Sequence, residues 1–290
     1  MSRGRSAASA VLAALACAGF APLPPAAPAP AGATSERSAS FQLIGRLRQG
    51  ALVQGFAPPG TTALTLDGKP VPVEAGGRFI IGFDRDQPAG AQLVAARGDA
   101  PPIVQALTVQ PRSWPIEKID VARRPEGPTE AYLRLRQQEQ ARIEAARSLA
   151  SATDGWVQRF IMPAHGRISG QFGAQRIYRG EPAAFHSGLD IAAGAGAVVV
   201  APADGVVVLA GPPAFSLEGN LVIIDHGMGL NSAFLHLATE DVQVGQKVRQ
   251  GDRIGTVGAT GRATGPHLHW SVKWREARLD PQGLVAEPGS

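Results

Sequence analysis

From Trp156 to the end of the chain, short apolar segments alternate with turns that are rich in glycine and proline. The segments include "VVVAPADGVVVLAG", "GNLVIIDHG" and "HLHWSVKW", and no helical periodicity interrupts them. Apolar runs of this length, bounded by Gly, Pro, Asn or Asp, are typical of β-strands. The pattern therefore predicts an all-β domain over residues 156–290.

A second group of short alternating segments lies between Phe41 and Val109, separated by turn sequences such as "PPG", "DG" and "AGG". This pattern predicts a small β-sandwich over residues 40–110. The segment contains no histidine and no cluster of carboxylates, so we expect no chemistry from it. We interpret it as a positioning or interaction part, and the sequence does not identify a protein partner.

Residues 111–155 connect the two β-rich parts. Proline punctuates residues 111–127, whereas good helix formers fill "PTEAYLRLRQQEQARIEAARSLASA". The latter predicts a helix over residues 129–150 that Thr129 caps. The apolar side of this helix comprises Tyr132, Leu135, Ile143, Ala146 and Leu149. We expect its charged side to face solvent, with partner binding as the alternative.

The first 33 residues have the pattern of an export signal. Arg3 and Arg5 precede an apolar run, "AASAVLAALACAGFAPL", that is shorter than the ~20 residues a membrane-spanning helix needs. Small residues at "PAPAGA" offer a cleavage site. We therefore expect residues 1–33 to be a signal peptide with a Pro/Ala-rich linker, no transmembrane segment, and a protein of the periplasm or cell envelope. Lipidation at Cys17 is the alternative.

Cysteine content and charge exclude several classes of site. The chain has 1 cysteine, so it forms neither an intramolecular disulfide nor a metal site built from thiolates. Its formal net charge of +4 is modest, which gives no support for nucleic-acid binding.

All 6 histidines lie in the C-terminal part, beginning with His165. His267 and His269 are two residues apart in "GPHLHWSV", so on a strand they would project from the same face. Adjacent imidazoles gain little from each other unless a third group binds them; the alternative is a solvated strand face. His186 and Asp190 in "HSGLDIA" also return to one strand face, or converge at a loop end if "SG" forms a bend.

A His-Asp-His set supplies nitrogen and oxygen donors, and three protein ligands with an open position are typical of catalytic zinc. A structural zinc site would need a fourth ligand, usually a cysteine. The combination of HxxxD with HxH in a β-rich domain therefore predicts a site for one zinc ion. We interpret His226 in "IIDHGMG" and His165 in "MPAHGRISG" as structural.

These motifs, together with "GRISGQFG" and "FHSGLDIAAGAGAVVVAPADGVVV", resemble those of the lysostaphin/LytM-type zinc endopeptidases that cut peptidoglycan peptides. The resemblance implies a catalytic domain with an antiparallel β-sheet groove. It also implies that His186, Asp190 and His269 bind zinc, with His236 and His267 as catalytic residues.

The residue types present are compatible with these roles. Hydrolysis by a metal-activated water needs a group that handles the proton of the water, and no glutamate lies beside either motif as in HExxH enzymes. His236 and His267 can take the proton or stabilise the oxyanion, and which residue does which stays open. The resemblance also implies that Phe234 replaces a frequent tyrosine, and the lost hydroxyl is one route to weaker activity.

We therefore predict an exported zinc endopeptidase that hydrolyses peptide bonds of peptidoglycan stem peptides or cross-links. The alternative is a weak or inactive module on the same fold that binds the wall or activates an amidase. All three expected ligands and both expected catalytic histidines are present, which favours the enzyme.

Overall fold

The computed structural model describes residues 40–119 and 128–285. The predicted signal peptide over residues 1–33 lies outside these ranges and stays a prediction. Within them β-strands dominate, and a single α-helix and two 3₁₀ turns complete the regular structure. No helix in the part of the chain that the structure describes is long and apolar enough to cross a bilayer. The predicted β-rich fold with a connecting helix is confirmed.

The N-terminal part contains the strands β1 (Gln42–Ile44), β2 (Leu52–Phe56), β3 (Ala63–Leu66), β4 (Lys69–Val71), β5 (Arg78–Gly82), β6 (Gly90–Arg97) and β7 (Ala100–Thr108). They form two sheets, with the orders β1-β2-β5 and β4-β3-β6-β7. In β6, the buried Ala91, Leu93 and Ala95 alternate with more exposed neighbours, which gives the strand one apolar face. Both sheets contribute to one hydrophobic core, as a sandwich requires.

The connector contains a β-strand as well as the predicted helix. Strand β8 (Ile116–Ile119) lies in the segment expected to be a plain linker, and it pairs in parallel with residues 175–178 of the C-terminal part. Helix α1 (Glu130–Arg147) follows within its predicted span. The Thr129 hydroxyl caps it by accepting a hydrogen bond from the Tyr132 backbone N–H.

The apolar side predicted for α1 is only partly buried. Ile143 and Ala146 pack against the C-terminal sheet, whereas Tyr132, Leu135 and Leu149 are exposed. Of the five residues on the predicted apolar side, two therefore pack against the sheet.

Charged residues of α1 make the missing contacts. Arg136 and Glu139 are almost fully buried and form an ion pair with each other, and Arg136 also binds Glu218. The expectation that the charged side of the helix faces solvent was therefore wrong at these two positions.

The C-terminal part contains the strands β9 (Arg167–Gly170), β10 (Gln175–Tyr178), β11 (Glu181–Pro182), β12 (Leu189–Ala192), β13 (Val198–Val200), β14 (Gly205–Leu209), β15 (Asn220–Asp225), β16 (Leu230–Glu240), β17 (Lys247–Val248), β18 (Arg253–Val257), β19 (Leu268–Trp274) and β20 (Ala277–Leu279). Ten of these strands form an antiparallel sheet with the main path β17-β14-β15-β16-β19-β12-β9. β18 pairs with β13 and β16, and β20 pairs with β19. The remaining two strands form a small sheet with β8 in the order β11-β10-β8.

The large sheet buries its two faces against different partners. In β19, Leu268 and Trp270 lie in the main core, and His269 projects from the opposite face because successive strand residues alternate. On that opposite face, α1 covers a smaller core that includes Leu209 and Ile223. The candidate site and the helix therefore share one face of the sheet.

The main core continues from the large sheet into the sandwich. Gly82 of β5 lies against Trp274 and Leu279, and a Cβ atom there would be 3.0 Å from both side chains. A salt bridge joins Arg278 to Asp84 in the same region. The predicted boundary near residue 156 thus marks a change of sequence pattern and not a break in the core.

His226 is a structural residue of the large sheet. Its ring is fully buried, with Nδ1 2.8 Å from the Asp204 backbone oxygen and Nε2 2.8 Å from the Ser232 hydroxyl. The carbonyl can only accept, so Nδ1–H donates to it and the hydroxyl donates to Nε2. Burial lowers the pKa of His226 to about 4.

His226 therefore makes stability depend on pH. Between pH 6.5 and 4 the unfolded chain binds a proton at His226 that the folded chain does not, so stability falls as the pH drops through this window, by roughly 3 kcal/mol. We expect His226→Gln to lose this component. The measurement is urea unfolding from pH 7 to 4 for both proteins with a chelator present, so that metal loss does not contribute. Parallel pH profiles for the two proteins would refute the assignment.

Candidate metal centre

Two neighbouring strands bring the first two candidate ligands together. Asp190 on β12 lies directly opposite His269 on β19 in the antiparallel register. Leu189 and Trp270 also form a cross-strand pair, and both are buried in the main core. Because successive side chains point to opposite faces, burial of this apolar pair places Asp190 and His269 side by side on the other face.

His186 reaches the same place from a loop, because β12 begins only at Leu189. Of the two alternatives drawn from "HSGLDIA", the bend is correct and the continuous strand is wrong. The loop is fixed by its backbone, since the His186 N–H donates to the Ala174 oxygen and the Gly173 N–H donates to the His186 oxygen.

The three candidate ligand atoms form a small triangle. His186 Nε2 lies 3.1 Å from Asp190 Oδ1 and 3.0 Å from His269 Nδ1, and His269 Nδ1 lies 2.8 Å from Asp190 Oδ1. Tetrahedral zinc with bonds of about 2.0–2.1 Å separates its ligand atoms by about 3.3 Å, so these residues fit the ion after small adjustments. In the described part of the chain, no other three His, Cys, Asp or Glu side chains converge in this way.

Two glycines make room for the ligand side chains. A Cβ atom on Gly170 would lie 2.4 Å from Asp190 Oδ2, and one on Gly188 would lie 2.6 Å from His269 Nε2. Either contact is too short for any side chain, so a larger residue would displace the ligand. Glycine at these two positions therefore leaves the room that Asp190 and His269 occupy.

Three of the histidines share one hydrogen-bonding arrangement. In each, Nδ1 lies against a backbone carbonyl oxygen: His186 at 2.9 Å from Gln171, His236 at 2.9 Å from Thr260, and His267 at 2.8 Å from Gly265. Because a carbonyl only accepts, Nδ1 carries the proton in the neutral ring and Nε2 keeps its lone pair. The backbone thus orients three imidazoles for metal binding or proton transfer before any ligand arrives.

A β-bulge places His236 in the site. Leu235 and His236 of β16 together lie opposite one residue of β15, and His236 has a φ of 64°, which is uncommon for a residue other than glycine. In a regular strand His236 would share the core face with Phe234. With the bulge, its ring centroid lies 4.9 Å from that of His267 and 6.3 Å from that of His269.

His267 lies just before β19, next to the triangle but outside it. Its Nε2 is 3.8 Å from Asp190 Oδ1, which is too far for a hydrogen bond. The structure therefore brings together all five residues predicted from the sequence, as three atoms in contact and two imidazoles beside them. The division into ligands and catalytic residues stays a prediction.

The electrostatics of the site suit a cation. Burial would raise the pKa of Asp190, but hydrogen bonds with His186 and His269 bring it well below its ordinary value. Burial lowers the pKa of His269 and of His236, so both rings are neutral near pH 7. For His186, burial acts in the same direction, but the hydrogen bond with Asp190 raises its pKa overall.

Phe234 does not line the site. It is fully buried in the main core, opposite Trp270 in the strand pairing, and therefore on the sheet face away from His269. The structure gives no reason for weaker activity at this position, and the effect of the missing hydroxyl stays a prediction. His165 is exposed and, like His226, is not a member of the converging group.

Several residues that shape the site were not predicted from the sequence. Gly170 and Gly188 pack against ligands, and the backbone oxygens of Gln171 and Thr260 orient histidines. The motif "HSGLD" carried a signal for Gly188, since it lies between two predicted ligands. A backbone carbonyl has no sequence signature, so the other contacts could not be predicted.

Comparison with known proteins identifies the family. A sequence model of peptidase family M23 matches residues 184–281, which contain all five candidate site residues. The crystal structure of a Pseudomonas aeruginosa protein assigned to peptidase M23 is 31% identical, with a TM-score of 0.62, and the alignment covers 82% of this chain and 94% of that one. The chain belongs to peptidase family M23. The predicted resemblance to lysostaphin/LytM-type enzymes is confirmed.

Curated M23 relatives match the C-terminal part. Peptidoglycan DD-endopeptidase ShyA of Vibrio cholerae is 40% identical over 116 residues, which are 40% of this chain and 26% of that protein. DD-carboxypeptidase/endopeptidase Mpg of Neisseria meningitidis is 42% identical over 123 residues, which are 41% of this chain and 27% of that protein. The match thus spans about a quarter of the length of these relatives.

Close packing at Gly188 predicts a selective effect on metal binding in this M23 chain. A Cβ atom on Gly188 meets His269 and the Trp270 backbone oxygen, each at 2.6 Å, whereas one on Gly194, just beyond β12, meets nothing within 4 Å. We expect Gly188→Ala to weaken zinc affinity by about 10- to 100-fold, the range typical for residues that support metal ligands, and Gly194→Ala to leave it unchanged. Competition with a chromophoric chelator measures both. Equal affinities for the two variants would contradict the packing argument.

Proposed function

We propose that this chain is an exported, zinc-dependent endopeptidase that hydrolyses peptide bonds in peptidoglycan stem peptides or cross-links. The observation that carries the proposal is the triangle of His186, Asp190 and His269, with two further imidazoles beside it. Membership of peptidase family M23 supports peptide hydrolysis as the reaction.

The donor set supports zinc as the metal. Two imidazole nitrogens and one carboxylate oxygen are ligands that zinc accepts, and three protein ligands leave a position open for water or substrate. When bound there, zinc would polarise a peptide carbonyl and lower the pKa of a coordinated water to about 7. His186, Asp190 and His269 are the residues that would hold it.

His236 and His267 are the groups that hold and move protons. When either ring is neutral, its Nε2 is an acceptor, because Nδ1–H donates to a backbone oxygen. One ring can therefore take a proton from the attacking water at Nε2 and later deliver it to the leaving amine. The other, when protonated at Nε2, can donate a hydrogen bond to the oxyanion that forms at the peptide carbonyl.

The names of the relatives support peptidoglycan peptides as the substrate. ShyA is named a peptidoglycan DD-endopeptidase, and Mpg is named a DD-carboxypeptidase/endopeptidase. The export signal predicted over residues 1–33 agrees with a substrate that lies outside the cytoplasm. All three candidate ligands and both histidines beside them are in place, which argues against an inactive wall-binding module.

Replacement of the two histidines of "HLH" is expected to have different effects on zinc content and on hydrolysis. His269→Ala removes one of three ligands, so the protein should lose both zinc and hydrolysis of purified peptidoglycan. His267→Ala leaves His186, Asp190 and His269 in place, so zinc should stay while the rate falls by about 10²- to 10⁴-fold, the usual contribution of a group that moves a proton or stabilises an oxyanion.

The measurement is zinc per chain together with mass spectrometry of the peptides released from purified sacculi. His165→Ala is the matched control, because His165 is exposed and outside the converging group; it should keep zinc and activity. Loss of zinc from His267→Ala with retention in His269→Ala would reverse the assignment. Absence of released peptides from the zinc-loaded wild-type protein would contradict the proposed function.

A further inference from the structure

Helix α1 is tied to the large sheet by a buried group of charges. Arg136 donates through both terminal nitrogens to the two carboxylate oxygens of Glu218, at 2.7 and 2.9 Å. It also donates to Glu139, one helical turn further on, at 2.5 Å. The three side chains are only 12%, 14% and 6% exposed, for Arg136, Glu218 and Glu139 respectively. A bidentate contact between nearly buried side chains fixes both the position and the orientation of Glu218 relative to Arg136.

The same helix also holds the segment that precedes Glu218. The Glu139 carboxylate accepts hydrogen bonds from the Ser216 backbone N–H at 2.6 Å and from its hydroxyl at 2.7 Å. Burial would raise the pKa of Glu139, but the bonds from Ser216 and Arg136 lower it, so it is an anion near pH 7. Ser216 and Glu218 are thus held by two ionised side chains of α1.

This segment in turn holds His236. The Glu218 backbone oxygen accepts a hydrogen bond from the His236 N–H at 2.8 Å. The Thr260 hydroxyl accepts from the Asn220 N–H at 2.9 Å, and the Thr260 backbone oxygen accepts from His236 Nδ1 at 2.9 Å. Both the backbone and the ring of His236 therefore depend on where residues 218–220 lie.

His236 needs such support because its backbone is strained. A non-glycine residue with a φ of 64° lies in the left-handed region, which is strained, and it stays there only when its surroundings hold it. If the Glu218 oxygen moved, the bulge could relax toward regular strand geometry. Alternation would then turn the ring toward the core face.

We propose that Arg136 is a positioning residue for His236, acting through Glu218. The inference rests on the proposed catalytic role of His236. It assigns a function to helix α1, which precedes the residues that the M23 sequence model matches. In the described part of the chain, Arg136 hydrogen-bonds to Glu139 and Glu218 and lies outside the converging group, so its effect on the reaction passes through the backbone of residues 218–220.

Arg136→Met tests the proposal in the full-length, zinc-loaded protein. Methionine keeps an unbranched side chain and good helix propensity, but it leaves the nearly buried Glu218 and Glu139 without their hydrogen-bonded cation. Arg134→Met is the matched control, because Arg134 lies on the same helix in an exposed pair with Glu130. A displacement of His236 by about 1 Å should lower kcat by about 10- to 100-fold, with KM and zinc content unchanged, while Arg134→Met should match the wild type.

The effect should disappear when His236 is absent. In a His236→Ala background, Arg136→Met should cause no further fall in kcat, because residues that act through one group are not additive. A general loss of structure would instead multiply the two effects. Single-turnover assays at high enzyme concentration measure these residual rates.

Hydrogen exchange provides a second measurement that does not depend on activity. Arg136→Met should speed exchange of the His236 amide and of residues 216–220, while amides of β12 and β19 keep their protection. If Arg136→Met fails to fold, Arg136→Lys carries the same test, since lysine keeps the charge but cannot bind both oxygens of Glu218 as a fork.

The outcomes separate the inference from the proposed function. If His236→Ala is impaired but Arg136→Met matches Arg134→Met in kcat and exchange, the positioning role is refuted and the proposed function stands. The same holds if Arg136→Met lowers kcat equally with and without His236. If His236→Ala itself keeps the wild-type kcat, the catalytic role of His236 fails, and the positioning role fails with it.

Discussion

The cross-strand pair of Asp190 and His269 is the constraint on which the rest of the site depends. Antiparallel pairing of β12 with β19 places these two residues opposite each other, and burial of Leu189 and Trp270 on the far face fixes which side they occupy. A shift of one strand by one residue would turn its ligand toward the core and separate it from the other. The apolar alternation of two strands therefore determines the position of a polar site.

The helix shows a second way in which this fold supports its site. Burying a charged side chain destabilises the fold unless the charge is paired and hydrogen-bonded. Arg136, Glu139 and Glu218 meet both conditions. A polar contact specifies orientation more sharply than an apolar one, because its geometry is directional. The neighbouring His236 is held in a strained conformation. A contact that fixes the orientation of the residues around it is therefore useful there.

The strands and the helix could be predicted because each leaves a local pattern, period-two alternation or a capped run of helix formers. The HxxxD and HxH spacings indicated His186, Asp190, His267 and His269, whereas His236 followed from the resemblance to lysostaphin/LytM-type enzymes. The bulge could not be predicted, since "AFLHLA" has no feature that distinguishes it from a regular strand. The extra residue becomes evident only from the pairing of β16 with β15. The buried side of α1 was predicted only in part, at Ile143 and Ala146, for a related reason. Apolar periodicity placed Tyr132 and Leu135 on the apolar side of the helix. The surface that α1 contacts carries Glu218, however, and a buried ion pair with Arg136 fixes the helix there.

His186, in the loop before β12, Asp190 on β12 and His269 on β19 together form one metal site in this account. Anomalous diffraction at the zinc absorption edge, from crystals of the zinc-loaded protein, tests it most directly. The account predicts one peak per chain within about 2.0–2.2 Å of His186 Nε2, a carboxylate oxygen of Asp190 and His269 Nδ1. A peak coordinated by His267 or His236 in place of His269, or no peak between β12 and β19, would contradict it.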